Sequence, residues 1–365
     1  MSYITSIATA NPPHRISQEI IAEFMLRAME FQNGESRKLK AIFKGTGIRY
    51  RHSVLADYGQ TQNFSFFPNE FSSPFPTTKQ RLELFRLHAL PLSIQAVNKA
   101  LADRGLDAKE MTHLVVASCT GMYAPGLDID LIRHVGLKST VDRTAINFMG
   151  CYAAFNAIKV ADAFCRSNLQ AKVLIVATEL CSIHFQRMAT DDNLLANALF
   201  ADGSAAVIVE GKEKSGLCLE VDGFFNDIYP EASNDMAWTI GDLGFEMKLS
   251  AYVPDVIQKG IKRLTDSLLA TIDKKFSDVK HFAIHPGGRR ILEVIEKELG
   301  IRREQNSAAY HVLENFGNMS SPTVLFVLDA LVRELQISSV DERILSFAFG
   351  PGLTMESMML KIKSL

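Results

Sequence analysis

Thr144-Ala-Ile-Asn-Phe-Met-Gly-Cys-Tyr-Ala-Ala-Phe-Asn156 is the stretch on which the fold turns. Its first four residues suit a strand, Gly150 offers a tight turn, and the small residues after Cys151 suit a helix packed closely on its neighbours. Cys151 therefore stands at a helix N-terminus, where the positive end of the helix dipole favours a thiolate and a nearby histidine favours it further. On its own, a cysteine after glycine reads as a small buried residue. Two later segments change that reading: His285-Pro-Gly-Gly supplies a histidine, and Asn315-Phe-Gly-Asn-Met-Ser-Ser supplies Asn318. Cysteine, histidine and asparagine together read as an acyl-transfer site.

An internal repeat ties these pieces together. His113-Leu-Val-Val-Ala-Ser precedes Asn147-Phe by 34 residues (147 minus 113), and His281-Phe-Ala-Ile-His-Pro precedes Asn315-Phe by the same 34 (315 minus 281). Each copy continues with a small-residue helix, Tyr152 to Phe164 or Ser320 to Leu331. A β-rich run follows, from Lys172 or from Arg343. The spacing predicts a duplicated α/β fold in which Cys151 and Asn318 occupy nearly equivalent strand-to-helix turns. The halves meet near Gly211 to Gly216, giving an N-terminal half at 1–213 with the cysteine and a C-terminal half at 214–365 with the histidine and asparagine.

Composition agrees with a large enzyme core: 365 residues, 47% hydrophobic, with a net charge of −2 that gives no reason to invoke nucleic acid or an acidic membrane surface. Five cysteines, Cys119, Cys151, Cys165, Cys181 and Cys218, lack C-x-x-C or histidine-clustered spacing. They read as reduced thiols, against a disulfide framework or a zinc site. With no basic-then-apolar start and no run of roughly 20 apolar residues, the chain is expected to be cytoplasmic. A short strand from Tyr3 to Ala8, a helix from Gln18 to Met29 and a second basic helix open the chain. From Asp57 to Thr77 the phenylalanines at 64, 66, 67, 71 and 75 predict an ordered loop packed on the body.

At this point the motifs form a pattern. Thr120-Gly-Met-Tyr-Ala-Pro-Gly, Asn147-Phe-Met-Gly-Cys-Tyr-Ala-Ala, Glu179-Leu-Cys-Ser-Ile-His-Phe, Ala198-Leu-Phe-Ala-Asp-Gly-Ser, His285-Pro-Gly-Gly, Gly317-Asn-Met-Ser-Ser-Pro-Thr and Phe349-Gly-Pro-Gly-Leu-Thr occur in order. Over nearly its whole length the chain resembles the type III polyketide synthases of the chalcone synthase superfamily, and its wording is closer to the microbial branch than to the plant one. The resemblance implies a five-layered α-β-α-β-α thiolase fold of two pseudo-duplicated halves, a homodimer, and decarboxylative condensation of an acyl-CoA starter with malonyl-CoA. Neither metal nor redox cofactor is implied.

Residue roles follow from the same resemblance. Cys151 is the nucleophile; His285 and Asn318 donate hydrogen bonds to the enolate oxygen left when malonyl-CoA loses carbon dioxide. Phe200 and Phe245 match the gate between the CoA tunnel and the inner cavity. Arg37, Lys40 and Lys44, spaced to share one helix face, match the residues that hold CoA phosphates. Arg289, with Arg290, adds basic charge at the tunnel mouth, for CoA or for the phosphopantetheine of an acyl carrier protein. Cavity-wall positions are Cys119, Thr120, Ala124, His184, Met236 and Ser320. Met236 stands where plant members carry glycine and is expected to narrow the pocket; Ala124 stands where a larger side chain crosses the dimer and is expected to open it. His184 replaces a small polar residue. Two other readings stay open: a ketoacyl synthase-like enzyme that condenses once, and a thiolase-fold scaffold without turnover.

Overall fold

Two half-sheets share one plan. The computed structural model describes residues 1–31, 33–232, 235–250 and 252–364. In the N-terminal half, β1 (Tyr3–Ala10) is followed by a small hairpin-like pair, β2 (His14–Ser17) and β3 (Tyr50–Ser53), which encloses α1 (Gln18–Ala28) and α2 (Asn33–Gly45). Then come α3 (Thr78–Arg104), β4 (His113–Ser118), α4 (Leu127–Val135), β5 (Asp142–Asn147), α5 (Ala153–Ser167), β6 (Lys172–Leu180), α6 (Asp191–Leu199) and β7 (Asp202–Glu210).

The C-terminal half repeats the order with an added hairpin: β8 (Leu217–Ile228), β9 (Met236–Gly241), β10 (Gly244–Leu249), α7 (Val253–Thr271), β11 (Val279–Ile284), α8 (Arg289–Leu299), α9 (Ser307–Phe316), α10 (Thr323–Glu334), β12 (Arg343–Gly350) and β13 (Thr354–Ser364). Strand order is β1-β7-β6-β4-β5 in one half and β8-β13-β12-β11 in the other. The halves join where Tyr3 and Ile4 pair with Glu220 and Leu219.

The repeat has a physical counterpart in register. His113 sits opposite Val173, the second residue of β6, and His281 sits opposite Ile344, the second residue of β12. Helices α5 and α10 form the middle layer, α5 against β4, β6 and β13, and α10 against β11 and β1. Buried alanines at 153, 154, 157 and 161 let both sheets approach α5 closely. Helices α3 and α4 cover one outer face, α7 and α8 the other. This is the thiolase architecture, α-β-α-β-α.

Two details depart from the repeat as read from spacing. Asn147 ends a strand, but Asn315 lies inside α9, so the turn at Asn318 is reached from a helix. Asn318 instead forms a one-residue bridge: its N–H donates to the Leu199 carbonyl (2.9 Å) and its carbonyl accepts from the Ala201 N–H (2.8 Å). Helix α10 also starts at Thr323, three residues late, because Ser320 has a left-handed φ of 59° and Pro322 provides the cap.

The phenylalanine-rich loop packs as its composition predicts. Asp57 accepts from the N–H groups of Ser65, Phe66 and Phe67 (2.8, 2.9 and 2.8 Å), while Phe67 packs against Phe24, Phe75 and Phe185. Phe64, Phe67 and Phe75 are buried; Phe71 is exposed.

Candidate active site

Parallel strands of a doubly covered sheet deliver their C-terminal ends to one place, where ligands of α/β proteins bind. Here Cys119 follows β4, Cys151 follows β5, Cys181 follows β6, His285 follows β11 and Phe349 lies near the end of β12. All five line one cavity of about 330 Å³. Asn318 closes the same cavity from the turn before α10.

The Cys151 turn is fixed by contacts that leave no room for other residues. Gly150 has φ +72°, and a Cβ there would meet Pro351 at 2.2 Å. Gly350 faces back in the same way, since its Cβ would come within 2.7 Å of the Tyr152 ring. The Gly-Pro-Gly loop thus packs directly on the nucleophile. From the other side, the Gly150 N–H donates to the Cys119 sulfur at 2.9 Å.

Asn318 is held in one orientation. Its Oδ1 accepts from the Ser320 N–H (2.8 Å) and lies 4.0 Å from the Cys151 sulfur, so the amide nitrogen faces the other way and donates to the Gly287 carbonyl at 3.3 Å. That nitrogen carries a second hydrogen.

Glu179, fully buried, ties the two halves together. Its Oε2 accepts from the N–H groups of Cys119 and Thr120 (2.9 and 3.0 Å) and from the Thr120 hydroxyl (2.6 Å); its Oε1 accepts from Ser321 at 2.7 Å. One carboxylate thereby holds both the loop that braces Cys151 and the loop that carries Asn318.

Burial opposes the thiolate that the helix dipole favours. Burial pushes the Cys151 thiol up to about 12, with the Ser320 hydroxyl pulling it down, and burial pulls His285 down to about 3. Desolvation outweighs the dipole, so each group taken alone is neutral at pH 7. His285 is fully buried, and among the described residues neither of its ring nitrogens has a hydrogen-bond partner.

His184 has the opposite arrangement. Its Nδ1 accepts from the Phe245 N–H at 3.0 Å, which fixes the tautomer, so Nε2–H donates to the Thr120 carbonyl at 2.7 Å. Its ring stacks on Phe245 with centroids 4.2 Å apart.

Of the residues singled out from sequence, the cavity brings together Cys151, His285, Asn318, Phe200 and Arg289. The wall residues Cys119, Thr120, Met236 and Ser320 line it too. Ala124 is exposed in the single chain, on the loop by which the chain leaves Thr120 for the surface before α4, as a position that reaches across a dimer would be. His184 and Phe245 line a separate void of about 30 Å³ behind the cavity. Phe245 lines the smaller space, and Cys181, Phe200, Trp238 and Met247 line both.

Arg37, Lys40 and Lys44 lie exposed on α2, whose last turn reaches the cavity at Ile42 and Gly45. Lys40 is engaged with Glu23 at 2.7 Å. Arg289 pairs with Glu293 and runs along Gly47, where a Cβ would lie 3.3 Å from its Cδ; Arg290 pairs with Asp255. Sequence reading missed Trp238, Met247 and Leu249. Their signal was the alternation of large apolar residues in Met236-Ala-Trp238 and Phe245-Glu-Met247-Lys-Leu249.

Residues 1–213 match the model of the chalcone and stilbene synthases' N-terminal domain, and residues 221–364 that of their C-terminal domain. The chain belongs to the chalcone and stilbene synthase family. It is 32% identical over 99% of its length to a probable polyketide synthase of Dictyostelium discoideum, of which it spans 11%. It is 29% identical to the α-pyrone synthesis polyketide synthase-like Pks18 of Mycobacterium tuberculosis, covering 99% of this chain and 91% of that one. The crystal structure of the C-terminal type III polyketide synthase domain of the Dictyostelium hybrid Steely1 superposes with a TM-score of 0.90 at 31% identity, covering 99% of each chain. By fold and by sequence this is a type III polyketide synthase, a condensing acyltransferase. Among the described residues, no helix is long and apolar enough to cross a membrane.

Proposed function

We propose that the enzyme loads an acyl group from acyl-CoA onto Cys151 and extends it with malonyl-CoA until the chain cyclises to a pyrone or resorcinol-type product. The observation that carries this reading is the convergence of three groups in one apolar cavity: the Cys151 thiol, the unpartnered ring nitrogens of His285 and the free amide hydrogen of Asn318.

In the first step the Cys151 proton passes to His285 as sulfur attacks the starter thioester; CoA leaves with that proton. Malonyl-CoA then enters and the bond to its carboxylate breaks, releasing carbon dioxide. The electron pair becomes an enolate whose oxygen accepts from His285 N–H and Asn318 Nδ2. The enolate carbon attacks the Cys151 thioester and the sulfur leaves as thiolate. Atoms and electrons balance without a metal or redox group.

For the CoA phosphates we assign Arg37, Lys44 and Arg289, with Lys40 released from Glu23 on binding. Strand β5 ends its sheet with one edge unpaired, and Met122 and Met149 are exposed nearby in sequence, which supports a homodimer formed across that edge. Light scattering on the purified protein reads this directly. Five free, buried cysteines support a reducing, cytoplasmic location.

Incubation with malonyl-CoA and a panel of acyl groups, offered on CoA and on a carrier protein, tests the whole reading by mass spectrometry. Several extension units in a dehydrated, cyclised mass are the expected result. A single unit would establish the ketoacyl synthase reading instead, and no turnover with any donor would leave the scaffold reading.

A further inference from the structure

The seam between the two half-sheets is short. Tyr3 and Ile4 of β1 pair with Glu220 and Leu219 of β8; beyond them β1 keeps to β7 and β8 keeps to β13, so the strands part. The wedge between them holds a second cavity of about 200 Å³. Ile4, Ile7, Leu217, Leu219, Val332 and Leu335 make its wall aliphatic, and α10 adds Asp329 and Arg333. It shares no described residue with the active-site cavity. Tyr3 pairs with Glu210, and Glu210 with Lys172, the first residue of β6. This cavity therefore lies at the starts of the parallel strands and the catalytic cavity at their ends. Strands β7, β6 and β4 separate it from the β5 edge proposed for the dimer.

Lys214, from the segment that joins the halves, lines this cavity. Its Nζ donates to the carbonyl of Thr5, the extra residue of a bulge where the β1–β7 register shifts between Ile4 and Ser6. Lys159, Lys172, Lys361 and Lys363 are half-buried too, and each holds a carboxylate. Among the described residues Lys214 holds none. Two neighbouring carboxylates are already engaged, Glu210 with Arg104 at 2.6 Å and Asp329 with Arg333 at 2.8 Å. An amine in that setting loses hydration without gaining a paired counter-charge. Burial pulls Lys214 below the usual lysine range, and the Arg104 guanidinium adds to this. Such a lysine carries more free amine near neutral pH than a solvated one.

We propose that Lys214 is a modification site: its amine takes a short saturated acyl group from acyl-CoA, and the acyl chain lodges in the seam cavity. The ammonium first gives a proton to water. The Nζ lone pair then attacks the thioester carbonyl, the carbon–nitrogen bond forms, the carbon–sulfur bond breaks, and CoA leaves as a thiol with a second proton from the amine. The amide N–H that remains can still donate to Thr5. The cavity disfavours charge at the chain end: once Lys214 is neutral, Asp103 and Asp329 outnumber Arg333, against the carboxylate of a malonyl group. The proposal goes beyond condensation and needs from it only the acyl-CoA donor.

Lys212, exposed two residues away, serves as the internal standard. The wild type is incubated near neutral pH with acetyl-, butyryl- or malonyl-CoA and cleaved with chymotrypsin, and fragment masses separate the two lysines. Lys214 is expected to acetylate about threefold faster than Lys212 or more, because about ten times more free amine per pH unit of lowered ionisation outweighs its weaker nucleophilicity. Its preference for butyryl over acetyl exceeds that of Lys212 by several-fold, each methylene that enters apolar space gaining roughly fourfold. Malonyl falls below acetyl at Lys214. In urea the two lysines react alike, and Cys151→Ala labels at Lys214 as the wild type does. A Lys214 that reacts no faster than Lys212, shows no chain-length preference of its own, or keeps its lead in urea overturns the proposal. So does a label that vanishes in Cys151→Ala. None of these results touches condensation, which is read from product; label at Lys214 without any product overturns condensation alone.

Discussion

Two histidines are buried to the same degree and both are pulled down to about 3, yet they stand in opposite chemical situations. His184 has both nitrogens committed to the backbone, at 3.0 and 2.7 Å; among the described residues His285 has neither committed. A buried polar group without a partner is a standing cost to the fold. The difference teaches that depressed basicity does not mark the reactive residue. The unpartnered nitrogen does, because it is held ready for a group that arrives only with substrate.

The strongest way to break this comparison is to exchange the roles. His285→Gln is expected to lower the condensation rate by about 10²–10⁴-fold while the melting temperature holds or rises, since no native hydrogen bond is lost. His184→Gln is expected to keep its rate per folded molecule; an equal loss of rate there would show that both histidines act in the reaction. Next in size is reactivity. If Cys151 ionises only by sharing its proton, iodoacetamide labels the wild type at pH 7 and acyl-CoA protects it. In His285→Gln the thiol is left with burial alone, and labelling at pH 7 drops by an order of magnitude or more, recovering only in strong alkali.

Stability sharpens the contrast in the other direction. His184→Ala strands the Phe245 N–H and the Thr120 carbonyl, and is expected to cost about 3 kcal/mol in urea titrations. The most gradual effect is on pH. The folded pKa of His184, about 3, lies below its unfolded 6.5, so its contribution is complete above pH 6.5 and is lost as the pH falls toward 3. Within that window His184→Gln should show a stability slope shallower than the wild type by ~1.4 kcal/mol per pH unit. Comparing variants matters because Asp202, raised to about 6 by its burial, titrates with the opposite sign in both.

The sequence was most informative where chemistry is carried by residue type. Cys151, His285 and Asn318 could be picked out, and the repeat of His113 and His281 fell on matching register positions, because strands at the centre of a covered sheet must be apolar and bounded by turns. It was least informative where position depends on which way a side chain faces. Thr120 is buried while Ala124, four residues on, is exposed in the single chain, and nothing in Gly-Met-Tyr reveals where the chain turns outward. The depth of Phe245 and Trp238 is likewise set by the pairing of β9 with β10, a contact no local pattern specifies. A helix start reveals the dipole that favours a Cys151 thiolate, whereas the burial that pushes the thiol the other way depends on everything packed around it.

Glu179 reaches both halves of the molecule through separate oxygens, and the two sides are not equally forgiving. Oε2 faces backbone N–H groups, which can only donate, so an amide nitrogen could never stand there. Oε1 faces the Ser321 hydroxyl, which can turn about its bond and accept instead. A glutamine at 179 would therefore be readable in one orientation alone, its nitrogen toward Ser321. In this doubled protein the cysteine-bearing half dictates the terms of the seam and the asparagine-bearing half adapts to them.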